Sequence, residues 1–142
     1  MGHIDMSLDR FLEAQKGVYE TALAEVSNGR KTSHWMWFIF PQIQGLGLSE
    51  TAKYYAIKDR AEAAQYLAHP VLGARLVAIS ETLLLLDNND PIKIFGHTDS
   101  MKLKSAMTLF SFLENTHPVF QKVLDKFFGG ERDERTVRIV SH

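Results

Sequence analysis

The chain has 142 residues, 45% of them hydrophobic and 23% charged, with a formal net charge of −1 and no cysteine. The balance of charge excludes the basic excess of a general nucleic-acid or anionic-membrane binder. The missing cysteines exclude disulfides, a thiol nucleophile and thiolate metal sites.

A chain of this length buries roughly 68–70% of its unfolded surface, so a single helical domain over residues 8–140 is expected. Residues 1–7 are set aside as an N-terminal tail with the look of an expression remnant. The longest apolar run is Trp35–Phe40, far short of the ~18 residues of a membrane span. With no leader segment visible, a cytoplasmic location is expected.

In chain order, Leu8, Phe11, Leu12, Val18, Tyr19, Ala22, Leu23 and Val26 recur at helical spacing. They predict one helix from about Leu8 to Ser27, with Ser7 as N-cap and Asn28-Gly29 as stop. Gln15 interrupts this stripe as an amide at the edge of the core, where it needs partners.

Next comes Lys31-Thr32-Ser33-His34-Trp35-Met36-Trp37-Phe38-Ile39-Phe40-Pro41-Gln42, which holds both tryptophans. Six consecutive apolar residues fit a short helix, capped by Ser33 and ended by Pro41, or a buried strand. Its helical surroundings favour the helix. Most of these rings suit the core, since each buries about 150–250 Å². A tryptophan beside Lys31 and His34 also suits the wall of a pocket for a nucleobase or sugar phosphate.

Gly45-Leu46-Gly47 is a turn without phosphate-loop or dinucleotide spacing. Of Tyr54 and Tyr55, at most one is expected in the core, because adjacent residues point in different directions. Asp59 and Glu62 resemble a capping box, and Pro70 opens a helix whose seam is Leu72, Leu76, Ile79, Leu83 and Leu86. Asp90-Pro91 repeats the cap-then-proline device. Thr98-Asp99-Ser100 supplies caps for a helix over about Met101–Glu114. Its apolar arc is Leu103, Ala106, Met107, Leu109, Phe110 and Leu113; Lys104, Ser105, Thr108 and Ser111 form the opposite, polar face. Met101 and Phe112 fall oddly within that polar arc, while Lys102 falls on the apolar side. His117-Pro118 repeats the His69-Pro70 start. Gly129-Gly130 ends the helix that follows, and Asp133 caps a last one through Val140.

The six histidines show no helical ligand spacing, so no metal site is expected. There is no Gly-x-Ser-x-Gly elbow for a serine nucleophile. What remains is a composite of Lys31, Ser33, His34, Trp37 and Gln42 from the aromatic segment with Lys102, Ser105 and Thr108 from the later helix. These donors and rings suit an anionic small molecule. His34 is the proton-transfer candidate, because an imidazole titrates near neutrality. No cofactor is indicated.

The blocks Lys31-x-Ser33-His34-Trp35-Met36-Trp37-Phe38-x-Phe40-Pro41-Gln42, His69-Pro70-x-Leu72-Gly73, Asp99-x-x-Lys102-Leu103-x-Ser105 and Phe128-x-Gly130-x-x-Asp133-x-x-Thr136 resemble the bacterial domain-of-unknown-function family 1810. The likeness runs from about residue 8 to 140. It implies a mainly helical protein and assigns no activity. Some members of that family carry the label calpastatin. That name belongs to a disordered, low-hydrophobicity inhibitor, whereas this chain is built to pack. A Tyr-Tyr region and a His-Pro-x-Leu segment faintly resemble small helical N-glycosidases that act on ADP-ribose linkages, which adds ADP-ribose to the ligands worth testing.

The expected fold is therefore all-α, with about six or seven helices around Trp35–Phe40. The expected function is a cleft that binds or processes a nucleotide-like or phosphorylated small molecule. The alternative is a non-enzymatic interaction module that grips a partner through an exposed aromatic patch.

Overall fold

In the computed structural model of the chain, which describes residues 7–141, the first amphipathic stretch is broken in two. Helix α1 spans Asp9–Gln15 and α2 spans Tyr19–Ser27. Between them Lys16 is extended and Gly17 turns left-handed at φ +73°, a conformation glycine adopts without a Cβ penalty. Both halves still bury the expected stripe through Phe11, Tyr19, Ala22 and Val26. Gln15 is buried and finds its partners: its Nε2 donates to the Phe38 carbonyl at 2.8 Å and to the Tyr66 hydroxyl at 3.0 Å. Arg75 donates to its Oε1.

The aromatic segment is a single helical turn, α3 (Met36–Ile39), with no side-chain cap. Trp35, Met36, Ile39 and Phe40 are buried, while Trp37 and Phe38 are half-buried. Trp35 meets Phe95 edge-on, 6.4 Å between centroids, and Phe40 meets the same ring at 6.2 Å. Complete burial of each such ring contributes about 1.5–3 kcal/mol. Residues Ile43 and Ile57 form an isolated bridge on either side of α4 (Glu50–Tyr54). Tyr54 is exposed and Tyr55 half-buried, so neither is fully core.

Helix α5 (Arg60–Ala68) starts as read: the Asp59 carboxylate accepts from the Glu62 N–H at 2.9 Å. Glu62 itself accepts from the Lys58 N–H and from the Arg10 guanidinium. Helix α6 (Leu72–Leu84) begins two residues after Pro70. The true cap is the His69 imidazole, whose Nδ1 accepts from the Val71 and Leu72 N–H groups. His117 repeats the device on Val119. No single described helix is long and apolar enough to cross a membrane; α5 and α6 reach that length only together, across an 84° bend.

Helix α7 (Pro91–Phe95) is capped by Asp90, α9 spans Val119–Phe128, and α10 (Glu134–Val140) is capped by Asp133. At the centre runs α8 (His97–Ser111), packed among α5, α7, α9 and α10. Between residues 103 and 110 only Lys104 keeps partial exposure. The face expected to be solvated is therefore covered: Ser105 is nearly buried and Thr108 completely so. The segment leading into α10 covers it, and the Asp133 N–H donates to the Thr108 hydroxyl at 2.9 Å. Asp99 likewise lies inside the first turn of α8 rather than capping it.

Every helix except α4 contributes to one hydrophobic cluster. The architecture is all-α, with ten helices among the described residues where about six or seven were expected. The difference comes from the Gly17 break and from the short turns α4 and α7, which carry too few residues for a periodicity to show.

Candidate functional site

The site is organised from α2. The Glu25 carboxylate accepts from the N–H groups of Thr32 (2.7 Å) and Ser33 (2.9 Å), the Ser33 hydroxyl (2.5 Å) and the Trp35 indole N–H (3.0 Å). These four bonds fix the segment that carries Lys31. Ser33, expected as a helix cap, belongs instead to this arrangement. Burial works to raise the Glu25 pKa, but the hydrogen bonds from Ser33, Thr32 and Trp35 outweigh it and hold it at about 2.

Because that pKa is depressed, the stability it confers is full above the ordinary value of 4.5 and is lost as pH falls toward 2. Tryptophan fluorescence and near-UV dichroism should change across that window and be flatter in Glu25→Gln. At neutral pH that variant should lose about 1–3 kcal/mol, the scale of hydrogen bonds to a charged group.

The Lys31 ammonium then reaches Asp99 Oδ2 at 2.8 Å and donates to the Ser33 carbonyl at 2.6 Å. It lies 5.0 Å from the centre of the Trp35 ring. Asp99 Oδ1 takes Lys102 at 3.1 Å, and the Lys102 ammonium stands 4.3 Å above the Trp37 ring. The aromatic segment and α8 thus meet at a chain of alternating charge, Lys31–Asp99–Lys102, laid over two indoles. Burial tends to raise the Asp99 pKa; the two ammonium groups outweigh it and set it below the usual carboxylate range.

Lys31 is 8% exposed and committed to Asp99 and Ser33, so it has little left for a ligand. Lys102, at 21% exposure, opens onto a cleft of about 330 Å³. The cleft is also lined by Gln42, Ser105, Met101, Asp133 and Arg135. The Gln42 amide makes no side-chain hydrogen bond among the described residues, whereas the Ser105 hydroxyl donates to the Met101 carbonyl. Behind Gln42, against Trp37 and Tyr55, is a space of only about 20 Å³, the size of one water. A ring-sized ligand therefore fits only the larger cleft.

The expected residues divide accordingly. Lys102, Gln42 and Ser105 share the cleft, with Trp37 beneath Lys102. Lys31 supports Lys102 through Asp99. Thr108 is buried, donating to the Lys104 carbonyl and accepting from Asp133. His34 is exposed and lines none of the cavities around this site.

Sequence reasoning missed Glu25 and Arg135, which no motif marks. Asp99 had a visible signal, the i,i+3 spacing to Lys102 on one helix face. No group of three or more metal-binding side chains stands together among the described residues.

Comparison with known proteins agrees on the fold. The chain is 41% identical to the conserved hypothetical protein Rv1873 from Mycobacterium tuberculosis, whose crystal structure superposes with a TM-score of 0.93 over 95% of this chain and 96% of that one. No curated protein matches the sequence. The family described as protein of unknown function DUF1810 matches over residues 5–140. Covering nearly the whole chain, that match makes this protein a member of the DUF1810 family.

Proposed function

We propose that the cleft at Lys102 binds a small anionic molecule, of the size of a sugar phosphate or mononucleotide. One observation carries the reading: Lys31 matches the charge of Asp99, which leaves Lys102 cationic at the cleft. Without Lys31, Asp99 would neutralise Lys102. Arg135 adds a second positive group across the same cleft, and the unpartnered Gln42 amide adds donors and an acceptor. Three cations thus face two carboxylates, Asp99 and Asp133. The latter is already occupied by the Thr136 N–H and hydroxyl.

The volume lies at the small end of the range of about 300–1,000 Å³ typical of ligand pockets. It favours a mononucleotide over NAD or ADP-ribose. With His34 outside the cleft, no reaction is assigned to it. The exposed-patch alternative has less support. Among the large exposed hydrophobic residues described, Tyr54 is the single aromatic ring.

The test is a thermal-shift panel of sugar phosphates, nucleoside monophosphates, ADP-ribose, NAD and the unphosphorylated nucleosides. A ligand at 100 times its dissociation constant adds about 2.7 kcal/mol of stability. Phosphorylated members should shift the melting temperature and their nucleosides should not. Lys102→Gln should weaken the hit about 10–100-fold, the worth of a charge-assisted hydrogen bond. A hit that persists unchanged in that variant, or a panel without any hit, rejects the reading.

A further inference from the structure

We propose a second anion site at the other end of α8, where Arg60 and Arg132 converge on Phe112, taking a phosphate monoester carried on an apolar or aromatic body. Phe112 is one of the two apolar residues that fell within the polar arc of this helix. Its ring is half-buried. The Arg60 guanidinium carbon lies 5.9 Å from the ring centre and that of Arg132 lies 5.8 Å from it. Residues 102 and 112 stand about 15 Å apart along a helix, so this is not the Lys102 cleft.

Neither arginine has a carboxylate partner among the described residues. The reason lies in their neighbours. Asp59, beside Arg60, accepts from the Glu62 N–H to cap α5. Asp133, beside Arg132, caps α10 through Thr136. Glu131, on the other side of Arg132, pairs with Lys104 at 3.5 Å. Two guanidinium groups therefore stand over one aromatic ring without an ion-pair partner among the described residues, and a guanidinium is the group that recognises phosphate by planar, bidentate hydrogen bonds.

A cleft of about 470 Å³ opens beside this ring, lined by Arg60, Ala61, Ala64, Phe112 and Leu113; Arg132 reaches the ring from beyond that lining. Asn115 lines it, held left-handed at φ +56°, a region asparagine tolerates. Its side-chain amide makes no hydrogen bond among the described residues. The apolar floor supplies the bed for the ligand body, and the amide a further polar contact. Glu114, also at the rim, makes no ion pair with either arginine. It disfavours a second anionic group on the body, so the ligand carries its charge at one end.

The probe is phenyl phosphate, titrated into the full chain and followed by amide NMR shifts. Saturable shifts are expected at Ala61, Ala64, Leu113 and Asn115. Arg60→Gln and Arg132→Gln should each weaken binding about tenfold, and the double variant should abolish these shifts. Both side chains are exposed, so the melting temperature should not move. Lys102→Gln should leave this site intact, which separates it from the cleft proposed above. Inorganic phosphate and phenol should each bind more weakly than phenyl phosphate. The proposal is overturned if no saturable shift appears at these residues, if the double variant binds like the parent, or if inorganic phosphate binds as tightly as phenyl phosphate.

Discussion

Replacing Gly73 by alanine is expected to destabilise the fold by at least about 3 kcal/mol, at the upper end of what overpacking costs. Helix propensity alone predicts the opposite sign. Gly73 lies in the first turn of α6, where alanine would add about 1 kcal/mol of helix stability. Tertiary contact decides against it. A Cβ at this position would stand 1.9 Å from the Leu67 carbonyl oxygen and 2.7 Å from the Leu67 carbonyl carbon. Both are backbone atoms near the end of α5, so no side-chain rotation relieves the clash. The 84° bend between α5 and α6 needs this close approach. Chemical denaturation of Gly73→Ala measures the result directly; a midpoint at or above that of the parent would mean the two helices can separate without loss.

The second large effect is expected at Arg10, which is 2% exposed. Its guanidinium donates to the carbonyls of Ser7, Tyr54 and Ala56 and to Glu62 Oε1 at 3.1 Å. It thereby ties α1 to the end of α4, to the segment that follows it and to α5. Arg10→Met keeps much of the volume but leaves those carbonyls and the Glu62 carboxylate without their donor. The cost should be about 3–5 kcal/mol, the usual price of breaking one side of a buried ion pair. Glu62 keeps the Lys58 N–H, which softens the loss without replacing a charge. The double variant Arg10→Met, Glu62→Met should be more stable than Arg10→Met alone, because it removes the uncompensated carboxylate. It should not return to the parent, because the carbonyls of Tyr54 and Ala56 still lack the guanidinium donor. A double variant less stable than Arg10→Met would show that Glu62 acts mainly through Lys58.

These two residues also show where sequence reading stops. Gly73 looks like an ordinary helical glycine, and Arg10 like a charge on the solvent side of an amphipathic helix. Nothing within a few residues of either announces a backbone approach or a guanidinium socket, since the partners lie on other elements. The candidate site divides in the same way. Of the residues read as donors and rings, Lys102, Gln42 and Ser105 line one cleft, while Trp37 lies beneath Lys102 and lines the smaller space beside it. Thr108 has the same chemistry and the same helix, yet it is buried under the approach to α10. Whether a hydroxyl on α8 faces ligand or protein depends on what covers it.

Taken by itself, the sequence determined the helical class, the caps at Asp59, Asp90 and Asp133, the repeated His-Pro starts and an aromatic core around Trp35. Each is written in local spacing: a cap acts on an N–H two or three residues away, and a helix face repeats every 3.6 residues. The tertiary structure alone decided that Glu25 holds the Lys31 segment, that Asp99 pairs two lysines, and that Arg60 and Arg132 share a ring. Apart from Asp99–Lys102 within α8, those pairings join side chains on different elements. Their energies follow from distance and burial, which come into being only when the helices pack.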